Sequence, residues 1–381
     1  MNGFSYHYLD NSATTNVCRE AAEKAAYMMT TCFGNPSSPH TLGFEAEQEL
    51  LTARRTVAQL IGAAREEITF TSGGTEANNL ALFGCAGALC RRGKHIVTTA
   101  VEHASVLAPL AELEKQGFTV IRLTPGPDGL VSAAQVAAAC REDTILVSVM
   151  LVNNETGARF PVEEIAAAVR RVSPLAKIHT DAVQAAGKLP IRVDKLGVDL
   201  LTLSGHKLHA PKGSGALYHK KDCRLLPRQF GGGQELTLRP GTEAVPALVA
   251  MATAINALPT PAAQEAHYTP LYEQLAEGLS HIPGAVLHRP ASAVPYIVNF
   301  SLPGLRSETI LHFLAQRGVY VSSGSACSKG KKSPVLTALG LSDAEIDSAV
   351  RVSFSRYTDT DDIDALLAGL TAAVATLQRR R

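Results

Sequence analysis

Between residues 72 and 207, five polar clusters each follow an apolar stretch, and each suits a different chemistry. They are Ser72-Gly73-Gly74-Thr75-Glu76, Glu102-His103, Asn153-Asn154-Glu155, Asp181 with Gln184, and Ser204-Gly205-His206-Lys207. Gly73 and Gly74 let backbone N–H groups approach an anion. Thr75 adds a hydroxyl, and the start of a following helix adds a favourable dipole. An ordinary helix cap with an acidic first turn would look the same, and the run matches neither the Walker pattern nor GxGxxG. Asp181 leaves a buried strand and needs a partner, or its own pKa rises. A protonated ring nitrogen is one such partner; a helix N-terminus is another. Lys207 stands just past Asp199-Leu200-Leu201-Thr202-Leu203. Partial desolvation there lowers the pKa of the amine and prepares it for a Schiff base. Lys212 competes for that role, and a solvated surface lysine is the plain alternative. Ser204 and His206 flank Lys207 and suit a phosphate. His103 offers a flat imidazole that can stack on an aromatic ligand and move protons near neutral pH, or it can be a hydrogen-bonded structural histidine.

Two further residues draw attention near the C-terminus. Cys327 lies in Val321-Ser322-Ser323-Gly324-Ser325-Ala326-Cys327-Ser328, with Lys329, Lys331 and Lys332 just after it. Positive charge nearby raises the thiolate fraction, and small residues let the thiol travel. A solvated linker that happens to hold a cysteine is the other reading. Arg351 alternates with apolar neighbours in Val350-Arg351-Val352-Ser353. It needs a partner, either a substrate carboxylate held through two parallel hydrogen bonds or an internal ion pair.

The elements that must position these groups follow from the pattern. Strand-like runs at 68–71, 95–99, 118–123, 145–152, 178–181 and 199–203 alternate with helical stretches, as at 104–116 and 162–172. That rhythm predicts a largely parallel sheet with helices on both faces, and such sheets collect chemistry at the carboxyl ends of their strands. After about residue 255 the character changes. Pro259-Thr260-Pro261 reads as a linker. Helices near 268–280 and 307–317 and strands at 296–301, 319–322 and 350–353 suggest a smaller α+β domain, closed by a terminal helix.

The 381 residues carry 46% apolar and 19% charged side chains, an ordinary globular composition. The net charge of +1 argues against a general nucleic-acid or anionic-membrane binder. No apolar run approaches the roughly 20 residues of a membrane span, and the N-terminus lacks a basic start and an apolar core. Seven cysteines, an odd count with no CxxC pair, fit a reducing cytoplasm better than a disulfide framework or a zinc site.

Taken together, these segments resemble the cysteine desulfurases, the NifS/IscS-like branch of the class V aminotransferases. The matching stretches are Tyr8-Leu9-Asp10-Asn11-Ser12-Ala13-Thr14-Thr15, Phe33-Gly34-Asn35-Pro36-Ser37-Ser38, Phe70 to Glu76, Val152 to Gly157, Thr180 to Gln184, Ser204 to Lys207, Gly241-Thr242 and Ser322 to Cys327. They run in family order over nearly the whole chain. The resemblance implies an α/β enzyme of fold-type I dependent on pyridoxal 5'-phosphate. Its large domain (15–255) would hold a mostly parallel sheet flanked by helices, and a smaller α+β domain (1–14 with 256–381) would carry the catalytic cysteine. Lys207 would bind the cofactor covalently. Asp181 would pair with its ring nitrogen, Gln184 would bond the ring hydroxyl, and His103 would stack on the ring. Thr75, Ser204 and His206 would hold the phosphate, and Gly74, Asn154 and Gly205 would also belong to the cofactor site. Thr242 would reach the phosphate of a neighbouring subunit in a homodimer. Arg351 and Asn154 would hold the carboxylate of L-cysteine.

The resemblance further implies that Cys327 takes the substrate sulfur as a persulfide, for a sulfur acceptor or iron–sulfur scaffold protein, and can transiently ligate a cluster there; no resident metal is expected. The Ser-Ser-Gly-Ser-Ala-Cys wording is similar to the branch whose mobile loop hands sulfur to scaffolds. The chain ends soon after its last predicted helix, whereas some members carry a longer docking tail. A selenocysteine lyase or another class V enzyme could share the cofactor site, and a non-catalytic sulfur-relay partner is the alternative of another class.

Overall fold

The computed structural model describes residues 6–323 and 332–377. Seven strands form the central sheet, in the spatial order Ile68–Thr71, Gly215–His219, Leu200–Ser204, Lys177–Asp181, Thr144–Ser148, His95–Thr99 and Thr119–Leu123. The four neighbouring pairs from Leu200–Ser204 outward to Thr119–Leu123 are parallel. Gly215–His219 runs against both its neighbours. Three of the central strands are buried along their whole length, because helices cover both faces. Alternation divides their side chains between two cores. Ile96, Leu146, Leu200 and Leu217 pack with Ala77, Leu80 and Leu110 on one face. Val97, Val147, Ile178 and Leu201 join the larger core on the other face, which continues to Ile297, Val350 and Leu370.

The sequence pattern predicts a largely parallel sheet, and the structure adds a reversed strand within it. Gly215–His219 opens on a glycine and contains no β-branched residue, so its own sequence gives little strand signal. Its glycine has a purpose: a Cβ at Gly215 would stand 2.6 Å from the Gly73 Cα, so this strand holds the glycine turn of the first polar cluster at backbone contact. The strand expected over 145–152 ends at Ser148. Beyond it the Met150 N–H is taken by the Glu102 carboxylate instead of a neighbouring strand.

Past residue 255 the helix Val245–Asn256 gives way to Pro261–Ser280, which starts earlier than expected. Pro259 to Pro261 is a tight helix junction rather than a loose linker: the Thr260 hydroxyl accepts the Ala263 N–H, and Pro261 occupies the first turn. A three-stranded antiparallel sheet orders Ala349–Ser353, Ile297–Ser301 and Val286–His288. His7–Tyr8 pairs in parallel with Val319–Tyr320, and Asp10 bridges to Ser353. Residues 7–10 therefore join the last third of the sequence. Among the described residues no single helix is long and apolar enough to cross a membrane.

Candidate active site

A cavity of about 540 Å³ opens at the carboxyl ends of the central strands. Gly74, Thr75, His103, Asn154, Asp181, Gln184, Ser204, His206, Lys207 and Arg351 all line it. Five loops and a strand of the smaller sheet thus bring to one place nearly every side chain singled out from the sequence. Gly205 lies behind the wall, where a Cβ would come within 2.2 Å of the Ser214 hydroxyl; close packing alone demands glycine there. Thr242 is exposed and outside the cavity. Cys327, Lys329 and Lys331 lie outside the described residues. Lys332 pairs with Asp343 at 2.6 Å.

Lys207 is buried, whereas its competitor Lys212 is exposed. Burial, with the positive charges of Arg351 and Lys188, lowers the Lys207 pKa to about 7. Its ammonium donates to the carbonyl oxygens of Ser12 and Ala13, the latter at 2.6 Å. Those carbonyls are held in turn. Asn11 Nδ2 donates to the Ser353 carbonyl at 2.9 Å, and the Ser12 N–H to the Ser353 hydroxyl at 2.7 Å. The Thr15 hydroxyl donates to the His206 carbonyl at 2.9 Å. Gln184 Nε2 also donates to the Ser12 carbonyl, at 3.0 Å, and leaves its Oε1 buried with no partner among the described residues.

Asp181 accepts the Val183 N–H on one oxygen and Asn78 Nδ2 on the other, at 2.9 and 2.8 Å. Asn78 also donates to the Ser105 hydroxyl at 2.8 Å, which stands 2.7 Å from His103 Nδ1. That nitrogen also accepts the Ser105 N–H, so it carries no proton and the ring N–H is on Nε2. Burial holds the His103 pKa below the usual histidine range. One chain of hydrogen bonds thus orients both the carboxylate and the imidazole. Asn78 was not foreseen; its signal was a polar side chain inside the apolar helix Gly74–Leu89. His206 is pushed down to about 4, by burial first and by the Lys207 charge second. It stays neutral, with Nδ1 at 3.2 Å from the Thr14 hydroxyl.

Of the two partners left open above for Arg351, the structure shows the internal ion pair. Arg351 is 3% exposed. One terminal nitrogen donates to Asp10 Oδ1 at 2.7 Å and the other to the Asn154 carbonyl at 3.0 Å. Its Nε is buried with no partner among the described residues. The internal ion pair exists, and a donor is left over. Glu155, also lining the cavity, accepts the Ser333 hydroxyl at 2.6 Å. Burial pushes its pKa up to about 7.

Glu102 lines the cavity too, and no role was assigned to it from the sequence. Its Oε1 accepts the Thr99 hydroxyl at 2.8 Å and the Met150 N–H at 2.9 Å; its Oε2 is buried without a partner among the described residues. Burial, reinforced by the Asp181 charge, pushes its pKa up to about 8, so the carboxyl is protonated at neutrality. A folded pKa above the unfolded one gives stability that is complete below the unfolded value and lost as pH climbs through the folded one. Glu102→Gln removes that dependence. We expect the thermal midpoint of the Gln variant to fall less between pH 6 and pH 9 than that of the parent, and the variant to be more stable at pH 9 by a few kcal/mol at most, of the order ~1.4 kcal/mol per pKa unit. Parallel melting curves for the two proteins at both pH values would refute this.

The chain matches the aminotransferase class-V family over residues 7–366. A cysteine desulfurase IscS of Methanosarcina thermophila is 42% identical over 365 residues, which cover 94% of this chain and 90% of that protein. Among solved structures, one described as a NifS-like protein superposes with a TM-score of 0.93 at 34% identity, covering 98% of this chain and 100% of that one. Another, SspA in complex with cysteine, superposes with a TM-score of 0.82 at 35% identity, covering 93% of this chain and 100% of that one.

Proposed function

Because the chain belongs to the class V aminotransferases and, within them, to the cysteine desulfurases, we propose that it takes sulfur from L-cysteine, releases L-alanine and carries the sulfur as a persulfide on Cys327. The observation that carries this reading is the burial of Lys207 in one cavity with Asp181, Gln184, His103 and Arg351.

The cavity suits pyridoxal 5'-phosphate. It offers an amine with a pKa near 7, a carboxylate two bonds deep in its own network, and an orphaned acceptor on Gln184. It also offers the glycine turn and helix start at Gly74 and Thr75, with Ser204 and His206 beside them. When bound, the cofactor supplies an electron sink for charge that develops on the substrate α-carbon. Lys207 would hold it and take the α-proton, Asp181 would face its ring nitrogen, and Gln184 Oε1 would accept a proton from its ring hydroxyl. His103 would stack on the ring and relay protons through Nε2. The free Nε of Arg351, with Asn154, would grip the substrate carboxylate.

The chemistry balances without an external oxidant. The thiolate of Cys327 attacks the substrate sulfur, an S–S bond forms, and the Cβ–S bond breaks. The electron pair left on the substrate carbon takes up a proton, giving alanine. The persulfide then passes to an acceptor of the kind that builds iron–sulfur clusters. We further propose a division into 15–255 and 1–14 with 256–381, a homodimer and a cytoplasmic location. The homodimer is supported by the exposed Phe230, Leu236 and Thr242, and the cytoplasm by the free state of the six described cysteines.

The test is direct. The purified chain, loaded with pyridoxal 5'-phosphate and given L-cysteine and a thiol reductant, should release alanine and sulfide in equal amounts. Alanine no faster than from the free cofactor would sink the reading.

A further inference from the structure

Three successive residues that are not glycine occupy the left-handed backbone region: Glu235 (φ 48), Leu236 (φ 55) and Thr237 (φ 66). L-residues avoid that region, and consecutive ones need something to hold them there. Two backbone bonds, Thr237 N–H to the Gly233 carbonyl and Leu238 N–H to the Glu235 carbonyl, help hold the turn, and its side-chain anchor is an ion pair. Glu235, with its side chain 2% exposed, receives Arg54 through two parallel hydrogen bonds of 2.6 and 2.7 Å. Both partners also cap the open edge of the central sheet at Ile68–Thr71. Glu235 Oε2 accepts the Phe70 N–H at 2.8 Å, and Arg54 donates to the Ile68 carbonyl at 2.7 Å. The guanidinium lies 4.5 Å over the Phe70 ring.

The turn opens a short strap that is closed on itself by one bond and pinned to the sheet side by another. Gln234 Oε1 accepts the Gly241 N–H at 3.1 Å. Arg239 donates to Glu76 at 2.8 Å, and the other oxygen of Glu76 accepts the Ser72 N–H at 2.8 Å. Ser72 and Glu76 belong to the chain's own anion turn. While the strap is pinned inward at 235 and 239, Leu236 points outward, 78% exposed, and Thr242 is exposed at its end.

We propose that Glu235, clamped by Arg54, is a positioning residue: it sets the left-handed turn that presents Thr242 to the phosphate site of a second copy of the chain. This rests on the reading above, in which a homodimer shares Thr242. Edge capping alone would explain the ion pair but would not require its loss to be felt in the opposite subunit.

The full-length chain is titrated with pyridoxal 5'-phosphate, and uptake is followed by absorbance, with thermal midpoints measured on the same samples. Glu235→Gln and Thr242→Ala should each weaken uptake by about tenfold, a readily resolved difference in affinity. The double variant should be no weaker than the weaker single one, since both act on one contact. Mixed dimers are decisive. A Glu235→Gln subunit paired with a Lys207→Ala subunit keeps its own Lys207 and faces an intact strap, so it should attach the cofactor with the parent's affinity. Unchanged affinity in Glu235→Gln, strict additivity, or a defect that persists in the mixed dimer would overturn the proposal. Should Glu235→Gln fail to fold, Arg54→Lys, which keeps the charge but not the paired hydrogen bonds, takes its place with the same outcomes. A parent chain that takes up no cofactor would refute the functional reading instead.

Discussion

Lys207→Ala is expected to leave a folded protein that no longer attaches pyridoxal 5'-phosphate covalently and turns over cysteine slower by about 10³-fold or more, the scale of losing a positioned base. The argument is electrostatic. In the parent, burial and the charges of Arg351 and Lys188 bring the amine to about pH 7, so a large fraction is neutral and nucleophilic at physiological pH. Attachment in the parent should accelerate as pH rises through about 7 and then level off, because the neutral amine is the reacting form. The alanine variant removes a cation from a buried site and so should lose little stability. The checks are absorbance after cofactor addition, an alanine assay, and a melting curve. A variant that keeps the parent's turnover would move the reacting amine elsewhere, and the exposed Lys212 would be the first residue to test.

Cys327→Ala should separate the two halves of the reaction. Cofactor uptake should match the parent, since Lys207 is held by the Ser12 and Ala13 carbonyls and Asp181 by Asn78 and the Val183 N–H. Alanine release from cysteine should fall by about a hundredfold or more, the nucleophile being gone. Mass spectrometry of the parent after a cysteine pulse, without reductant, should find one extra sulfur, and the variant should show none. An aminotransferase using the same cofactor site would have no need of this thiol. Full turnover in the variant would therefore exclude sulfur transfer through it.

How much of this was legible beforehand depended on where each residue's contribution comes from. Strand ends are the sites at which a parallel sheet exposes its loops, so five polar clusters behind apolar runs already located Thr75, His103, Asn154, Asp181 and Lys207. The choice between Lys207 and Lys212 needed burial, which spacing does not give. Ser12 and Ala13 contribute carbonyl oxygens to the Lys207 amine, and every residue has a carbonyl, so no side-chain signal marks them. Glu102 and Glu155 stood inside quoted clusters yet were passed over. Their carboxyls turn inward, to the Met150 N–H and the Ser333 hydroxyl, and only tertiary contact reveals that. The strand Gly215–His219 escaped notice because its two neighbours, not its own composition, impose it. Spacing could not choose between the two readings of Arg351, because one guanidinium has donors for Asp10 and Asn154 and still leaves its Nε over.

The ribbon from Asn11 to Thr15 has a temporal implication. It is bonded to Ser353 and its Ser12 carbonyl accepts from Lys207, so two segments far apart in sequence must meet before the amine has its surroundings. On the ribosome, Asn11 waits through 342 residues for Ser353 to emerge. A nascent or truncated chain has a lysine but no furnished pocket. The amine's low pKa and its seat against the Ser12 and Ala13 carbonyls belong to the finished fold, and so, by inference, does its readiness for an aldehyde.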